Sequence, residues 1–337
     1  MIHKLATWSG FAVAFSGLTL AQTPGPNAAK PAAPPKAASA SKTWSAPRTP
    51  DGHPDLQGIW SNATITPLER PDELAGKSTL TPQEAAAFEA TVNKRENRDR
   101  RDGAGTDDDV RRAYNESWYD RGTKVIGTRR TSLIMDPPDG KIPALRPAAQ
   151  QRLDRQAELR ARTAQGPEDR SLSERCLNWA TAGPPMLPSA YNNNYQIVQT
   201  RDYVVISNEQ IHDARIVPLD GRPHVDKSIR QWLGDSRGHW EGETLVVDTT
   251  NFTDKTAFRG ASENMHLTER FTRVAPDTLM YTFTVEDPSA FAHPWTAQIP
   301  SVKIDGPIFE YACHEGNYGM FGILNGARQA EAKTAGK

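Results

Sequence analysis

From Tyr195 to Cys313 the apolar residues fall at every second position, in runs of five to eight, and that rhythm dictates strands. The runs are Tyr203–Ser207, Ile211–Val217, Thr244–Thr249, Leu267–Val274, Leu279–Val285 and Ile308–Cys313, all rich in β-branched and aromatic residues. Asp220-Gly221, Glu241-Gly242 and Ala275-Pro276-Asp277-Thr278 supply turns between them. Strands at roughly ten-residue spacing form an antiparallel meander of six to nine strands, which has to close as a barrel or a sandwich. No helical segment of 10–15 residues intervenes, so a doubly wound parallel sheet is excluded. With 26 prolines and 24 glycines in 337 residues, a helical bundle is excluded too.

The faces of these strands narrow the choice. In Leu279–Glu286, one face carries Leu279, Tyr281, Phe283 and Val285, the other Met280, Thr282, Thr284 and Glu286. In Leu267–Val274, Leu267, Glu269 and Phe271 oppose Thr268, Arg270 and Thr272. A charge among the apolar residues suits the mixed lining of a barrel that holds one small ligand; a half-solvated sheet is the other reading. Upstream, Thr81-Pro82-Gln83-Glu84 is an N-cap with a capping-box Glu, and it predicts a helix through Val92. Pro147 opens a second, to about Ala164. The expected fold class is mainly β: an antiparallel lipocalin-like β-barrel with two N-terminal helices and long loops.

The N-terminus reads as an export signal over residues 1–21: Lys4 gives the positive start, Leu5–Leu20 the apolar stretch and Thr19-Leu20-Ala21 the small-residue cleavage site. Residues 22–50, with seven prolines and eight alanines, read as an extended linker, 51–326 as a single folded domain and 327–337 as a disordered tail. After cleavage no apolar stretch approaches a membrane span, so the mature protein is expected to be periplasmic or secreted. Cys176 and Cys313 fit that compartment: an even count favours a disulfide closing a 137-residue loop, against two buried thiols.

A formal net charge of −1 argues against a nucleic-acid partner, and neither GxGxxG nor GxxxxGK[ST] occurs. Gly234-Asp235-Ser236-Arg237-Gly238 matches the GxSxG nucleophile elbow, but a hairpin rather than a helix follows, so a β-turn is the better reading. The histidines carry no HExxH or HxH spacing, and no metal or redox cofactor is assigned.

At Gly58-Ile59-Trp60 the chain resembles the opening strand of lipocalins. A broader resemblance, over 51–326, is to a large group of exported bacterial proteins. It rests on Pro54-Asp55-Leu56-Gln57-Gly58-Ile59-Trp60, Tyr191-Asn192-Asn193-Asn194, Ile211-His212-Asp213-Ala214-Arg215 and Trp232-Leu233-Gly234-Asp235-Ser236-Arg237-Gly238. Glu269-Arg270-Phe271-Thr272-Arg273 and Tyr311-Ala312-Cys313-His314-Glu315-Gly316-Asn317-Tyr318-Gly319 complete it. The resemblance implies export and fold rather than a reaction.

The β-rich half is dense in His, carboxylate and Asn, which a carrier of greasy ligands does not need. The expected function is therefore an enzyme, a lyase, isomerase or hydrolase, acting on a small organic molecule by acid–base chemistry inside the barrel. His212, Glu286 and His314 are the expected proton donors or acceptors; Tyr191, Asn193, Arg237, Trp240 and Glu315 are expected to hold the substrate. Trp232, Trp240 and Trp295 could together form a stacking wall, against ordinary core packing. A non-catalytic lipocalin-like binding protein is the alternative, and a partner-binding envelope protein the third class. What lines the barrel separates the three.

Overall fold

The computed structural model describes residues 44–335 apart from 101, 102, 104, 107, 108, 110–114, 180 and 257. The expected export signal, and the expected linker as far as residue 43, lie outside the described residues. The end of that linker is structured instead of extended. Ala46 is buried, Arg48 bridges to Pro54, and the Arg273 guanidinium lies over the Trp44 ring, so residues 44–50 belong to the folded domain.

Ten described strands form one antiparallel sheet. They are β1 (Gly58–Ser61), β2 (Ile134–Asp136), β3 (Asn194–Gln199), β4 (Tyr203–Asn208), β5 (Ala214–Pro218), β6 (Asp235–Glu241), β7 (Thr244–Thr250), β8 (His266–Ala275), β9 (Thr278–Glu286) and β10 (Trp295–Ile304). Their order is β5-β4-β3-β1-β10-β9-β8-β7-β6, with β2 pairing to β10 beside this path. The sheet is two meanders, β3–β5 and β6–β10, joined through β1. In β1, Ile59 faces Gln196 on one side and Ile304 on the other.

The predicted alternation holds in β9, where Leu279, Tyr281, Phe283 and Val285 are all fully buried and their neighbours half-buried. The sheet, however, is not closed into a barrel. No ladder joins the edge strands β5 and β6; they meet through side chains. A Cβ at Gly238 would stand 2.7 Å from Leu219 Cδ2 and 2.8 Å from Val217 Cγ1, so only glycine lets β6 come this close. Pro218, which ends β5, has no N–H to offer a ladder.

Nor is the concave side hollow. Trp60, Tyr195, Phe271, Tyr281, Phe283 and Trp295 fill it as part of one contiguous cluster, each stabilising the fold by roughly 2–3 kcal/mol of burial. Arg215 of β5 reaches across this interior to Glu269 of β8 in a bidentate pair, with Nη2 donating to Oε1 at 3.0 Å. Tyr281 donates to the same Oε1 at 2.8 Å and accepts from Met186 N at 3.1 Å. The mixed lining read from Leu267–Glu269–Phe271 is therefore real, but an internal arginine satisfies its charge and no guest is needed.

β10 buries Trp295, Ala297, Ile299 and Ser301 at every second position, but Pro300 interrupts its run of strand-forming residues. Pro300 faces Met280 on β9, and on its other side it falls between Ala297, paired with β2, and Val302, paired with β1, where no ladder bond is required. The strand expected over Ile308–Cys313 is absent. That segment runs as a strap: Phe309 N donates to Glu209 Oε1 at 3.1 Å, Cys313 is joined to Cys176, and Asn317 Nδ2 donates to Glu174 O at 2.9 Å.

Three α-helices lie among the described residues: α1 (Pro82–Glu96), α2 (Pro147–Ala161) and α3 (Tyr318–Ala335). At the start of α1, Thr81 Oγ1 accepts from Glu84 N at 3.2 Å while Glu84 Oε2 accepts from Thr81 N at 2.9 Å, the complete capping box. The bond from Lys77 and the cap bonds pull the Glu84 carboxyl down to about 2. α3 runs through residues 327–335 of the tail expected to be disordered; 336 and 337 lie outside the described residues. Ala327 is buried, and Arg328 holds the helix by donating to the carbonyls of Ala164 and Gln165, each at 2.8 Å. None of these helices is long and apolar enough to cross a membrane.

Candidate functional site

Strand alternation places Asp248 outward on β7, between inward Val247 and Thr249, and pairs His266 with Glu286 across β8 and β9. Asp235 and Arg237 stand on the same outer side at the start of β6. The loop from Leu219 to Gly234 brings His224 between Asp235 and Asp248. The result is a continuous chain of alternating carboxylate and imidazole. Glu286 Oε2 lies 3.0 Å from His266 Nδ1, and His266 Nε2 donates to Asp248 Oδ2. Asp248 Oδ1 lies 2.8 Å from His224 Nε2, and His224 Nδ1 lies 2.9 Å from Asp235 Oδ2. Arg237 closes the chain, donating to Asp235 Oδ1 at 2.7 Å and to Pro223 O at 3.0 Å.

The bond to Asp248, opposed by burial and helped by Glu286, raises the His266 pKa to about 9. At neutral pH it is an imidazolium with both N–H groups donated, so it has no lone pair with which to act as a general base. Although burial works against it, Asp248 is held below the usual carboxylate range by His266 and His224.

Two of the residues expected from the sequence, Glu286 and Arg237, stand at opposite ends of this chain. The others do not join it. His212 is not on a strand: Ile211 and His212 both adopt positive φ, at 66° and 51°, which ends any extended run, and the exposed His212 ring sets Nδ1 3.1 Å from Tyr311 O. His314 and Glu315 are exposed on the loop after Cys313. Among the described residues no hydrogen bond or ion pair links His212, Glu286 and His314. Tyr191 sits in an aromatic cluster with Tyr119, Trp179 and Tyr311, at centroid distances of 6.2–6.4 Å. Asn193 is buried and spent on structure, accepting from Ser189 N at 2.7 Å and donating to Asp120 Oδ1 at 3.0 Å. Trp240 stacks on His53 at 4.9 Å, and Trp295 is buried among Phe258, Phe283 and Phe291, so with Trp232 they form no common wall. Ser236 points inward and shares a hydrogen bond with Thr249 at 2.9 Å; the GxSxG segment enters strand β6 directly after Gly234 rather than forming a turn or an elbow. No group of three His, Cys, Asp or Glu among the described residues is placed to hold a metal ion.

The same end of the sheet carries cavities. The first, of about 100 Å³, lies between Trp179, Trp232, Phe252 and Phe258, with Asn178 and Thr181 at its edge. The second, about 240 Å³, runs beside Thr64–Leu68, Leu133 and Pro188. The third is open, about 510 Å³, between Ile142–Leu145 and Leu153, Gln156 and Arg160 of α2. Arg259 forms part of the wall of all three. Its backbone is held at φ 53°, and its guanidinium has no hydrogen-bond partner among the described residues.

Local chemistry builds these walls. Trp232 stands on the loop that Asn251 fastens, with Nδ2 donating to the carbonyls of Val225, Asp226 and Ile229 at 3.1–3.2 Å. Opposite it, Gly183 folds so tightly that a Cβ would lie 2.8 Å from Met186 N, which keeps Pro184 and Leu187 against the first cavity. Sequence reasoning missed His224, Asp248, His266 and Arg259. Asp248 and His266 could have been found by pairing β7 with β8 and β8 with β9; Arg259, one of many loop arginines, left no signal. No protein-family model and no curated protein matches the chain.

Proposed function

We propose that this is an exported protein that binds a small organic molecule in the cleft around Arg259, at the loop end of the sheet. The observation that carries the reading is the meeting of three cavities at Arg259, the first walled by Trp179, Trp232, Phe252 and Phe258, beside a sheet whose concave side is already packed. Apolar walls with a few convergent polar groups are the usual make-up of a small-molecule site. The disulfide between Cys176 and Cys313 accords with an oxidising compartment, as do the signal-like first 21 residues and the resemblance to exported bacterial proteins.

The acid–base enzyme expected from the sequence keeps one supporting feature, the Glu286–His266–Asp248–His224 chain at the same end of the sheet. With His266 held as a cation, that chain would donate a proton rather than take one, and the binding role is the better supported.

Mass spectrometry of the protein purified from its host tests both parts. The expected result is a mature chain starting at Gln22 that releases a stoichiometric small molecule on denaturation, with Trp232→Ala folded but empty. A chain retaining Met1 overturns export; a Trp232→Ala variant that keeps the molecule overturns the site.

A further inference from the structure

The cleft has a sign. Arg259 faces all three cavities, and Arg160 shares the largest with it; neither has an ion-pair or hydrogen-bond partner among the described residues. A third arginine, Arg152, donates to the Gly260 carbonyl at 3.2 Å, directly behind Arg259. The carboxylate on this wall is Glu69, and its Oε1 is engaged by Ile142 N at 3.0 Å. An unpaired guanidinium beside an apolar slot offers two parallel N–H donors to a planar anion, the geometry in which arginine binds carboxylates most strongly.

The smallest of the three cavities, part-open, suits the rest of the ligand. About 100 Å³ between Trp232, Phe252 and Phe258 is the scale of a single ring, since an apolar cavity of ~150 Å³ holds one benzene. Thr181 Oγ1 at its rim already donates to Gln210 Oε1 at 2.8 Å, so the rim adds no free charge.

We infer that the cleft takes an organic carboxylate: a single apolar ring in the Trp232–Phe252–Phe258 slot, and its anionic end on Arg259, turned toward Arg160. The inference rests on the binding role proposed above and adds the chemical class of the ligand.

The test uses the full mature chain and two matched probes, 3-phenylpropanoate and the neutral 3-phenyl-1-propanol, with binding read by calorimetry and by quenching of tryptophan fluorescence. The acid is expected to bind at least about tenfold more tightly than the alcohol, the effect of one charge-assisted bidentate contact. Arg259→Ala should abolish that difference, weakening the acid at least about tenfold more than the alcohol with the circular dichroism spectrum unchanged; Arg259→Lys should restore part of it, and Arg160→Ala should weaken the acid only a few-fold. Inorganic phosphate should compete poorly, because it brings no ring. Equal binding of acid and alcohol, insensitive to Arg259→Ala, overturns the carboxylate assignment and leaves small-molecule binding standing. Phosphate binding as tightly as the acid overturns the ring, and failure of both ring probes to bind at millimolar concentration overturns the inference as a whole, whatever the co-purified molecule shows.

Discussion

Glu269 and Arg215 put two opposite charges into the most tightly packed part of the molecule, each almost without exposure. Taking two ions out of water costs several kcal/mol each, and their mutual attraction repays this only while both are present. The Glu269 charge, working against burial, keeps Arg215 firmly protonated, while burial and that same charge push the Tyr281 hydroxyl far above its ordinary range. Glu269→Ala is therefore expected to destabilise by ~3–5 kcal/mol in urea unfolding, and Arg215→Met with Glu269→Leu together to cost far less than either partner's loss. His266 behaves differently because it titrates. Its folded pKa of about 9 lies above the unfolded value of 6.5, so its contribution is complete below pH 6.5 and is lost as pH rises through 9. Asp248, depressed from 3.8, contributes above that value and loses its contribution as pH falls below it. A stability profile from pH 6 to 10 should fall for the wild type and stay flatter for His266→Gln; parallel profiles would refute the assignment.

At the scale of elements, the strands were legible and their neighbours were not. Period two in Leu279–Glu286 names the strand and both of its faces, because each side chain answers to its own position. The capping box at Thr81 and Glu84 was legible for the same reason, being a local bond between residues three apart. β10 was hidden by Pro300, whose tolerance depends on where β1 and β2 happen to stop. The expected strand over Ile308–Cys313 failed because the bonds from Glu209 and the link to Cys176 hold that segment as a strap. Glu286 could be singled out from its place at a strand end, yet His266, Asp248 and His224 become its neighbours only through register and a loop. Closure failed as an expectation because β5 and β6, though close at Gly238, Val217 and Leu219, share no ladder, which no alternation encodes.

At the scale of the whole molecule, the Cys176–Cys313 bond ties the segment before β3 to the strap after β10. A crosslink closing a 137-residue loop stabilises by about 5 kcal/mol on a chain-entropy account. Reduction, or Cys176→Ser with Cys313→Ser, should lower the urea midpoint accordingly without changing the far-ultraviolet spectrum; an unchanged midpoint would show that the bond secures only the strap. The sheet order bears on how the chain can be made at all. The four residues of β1 leave the ribosome before any other described strand, yet their seat lies between β3 and β10, and its second wall exists only once residue 304 has been synthesised. The earliest described strand gains its second neighbour only from the last, so the two meanders stay unjoined until almost the whole polypeptide has been made.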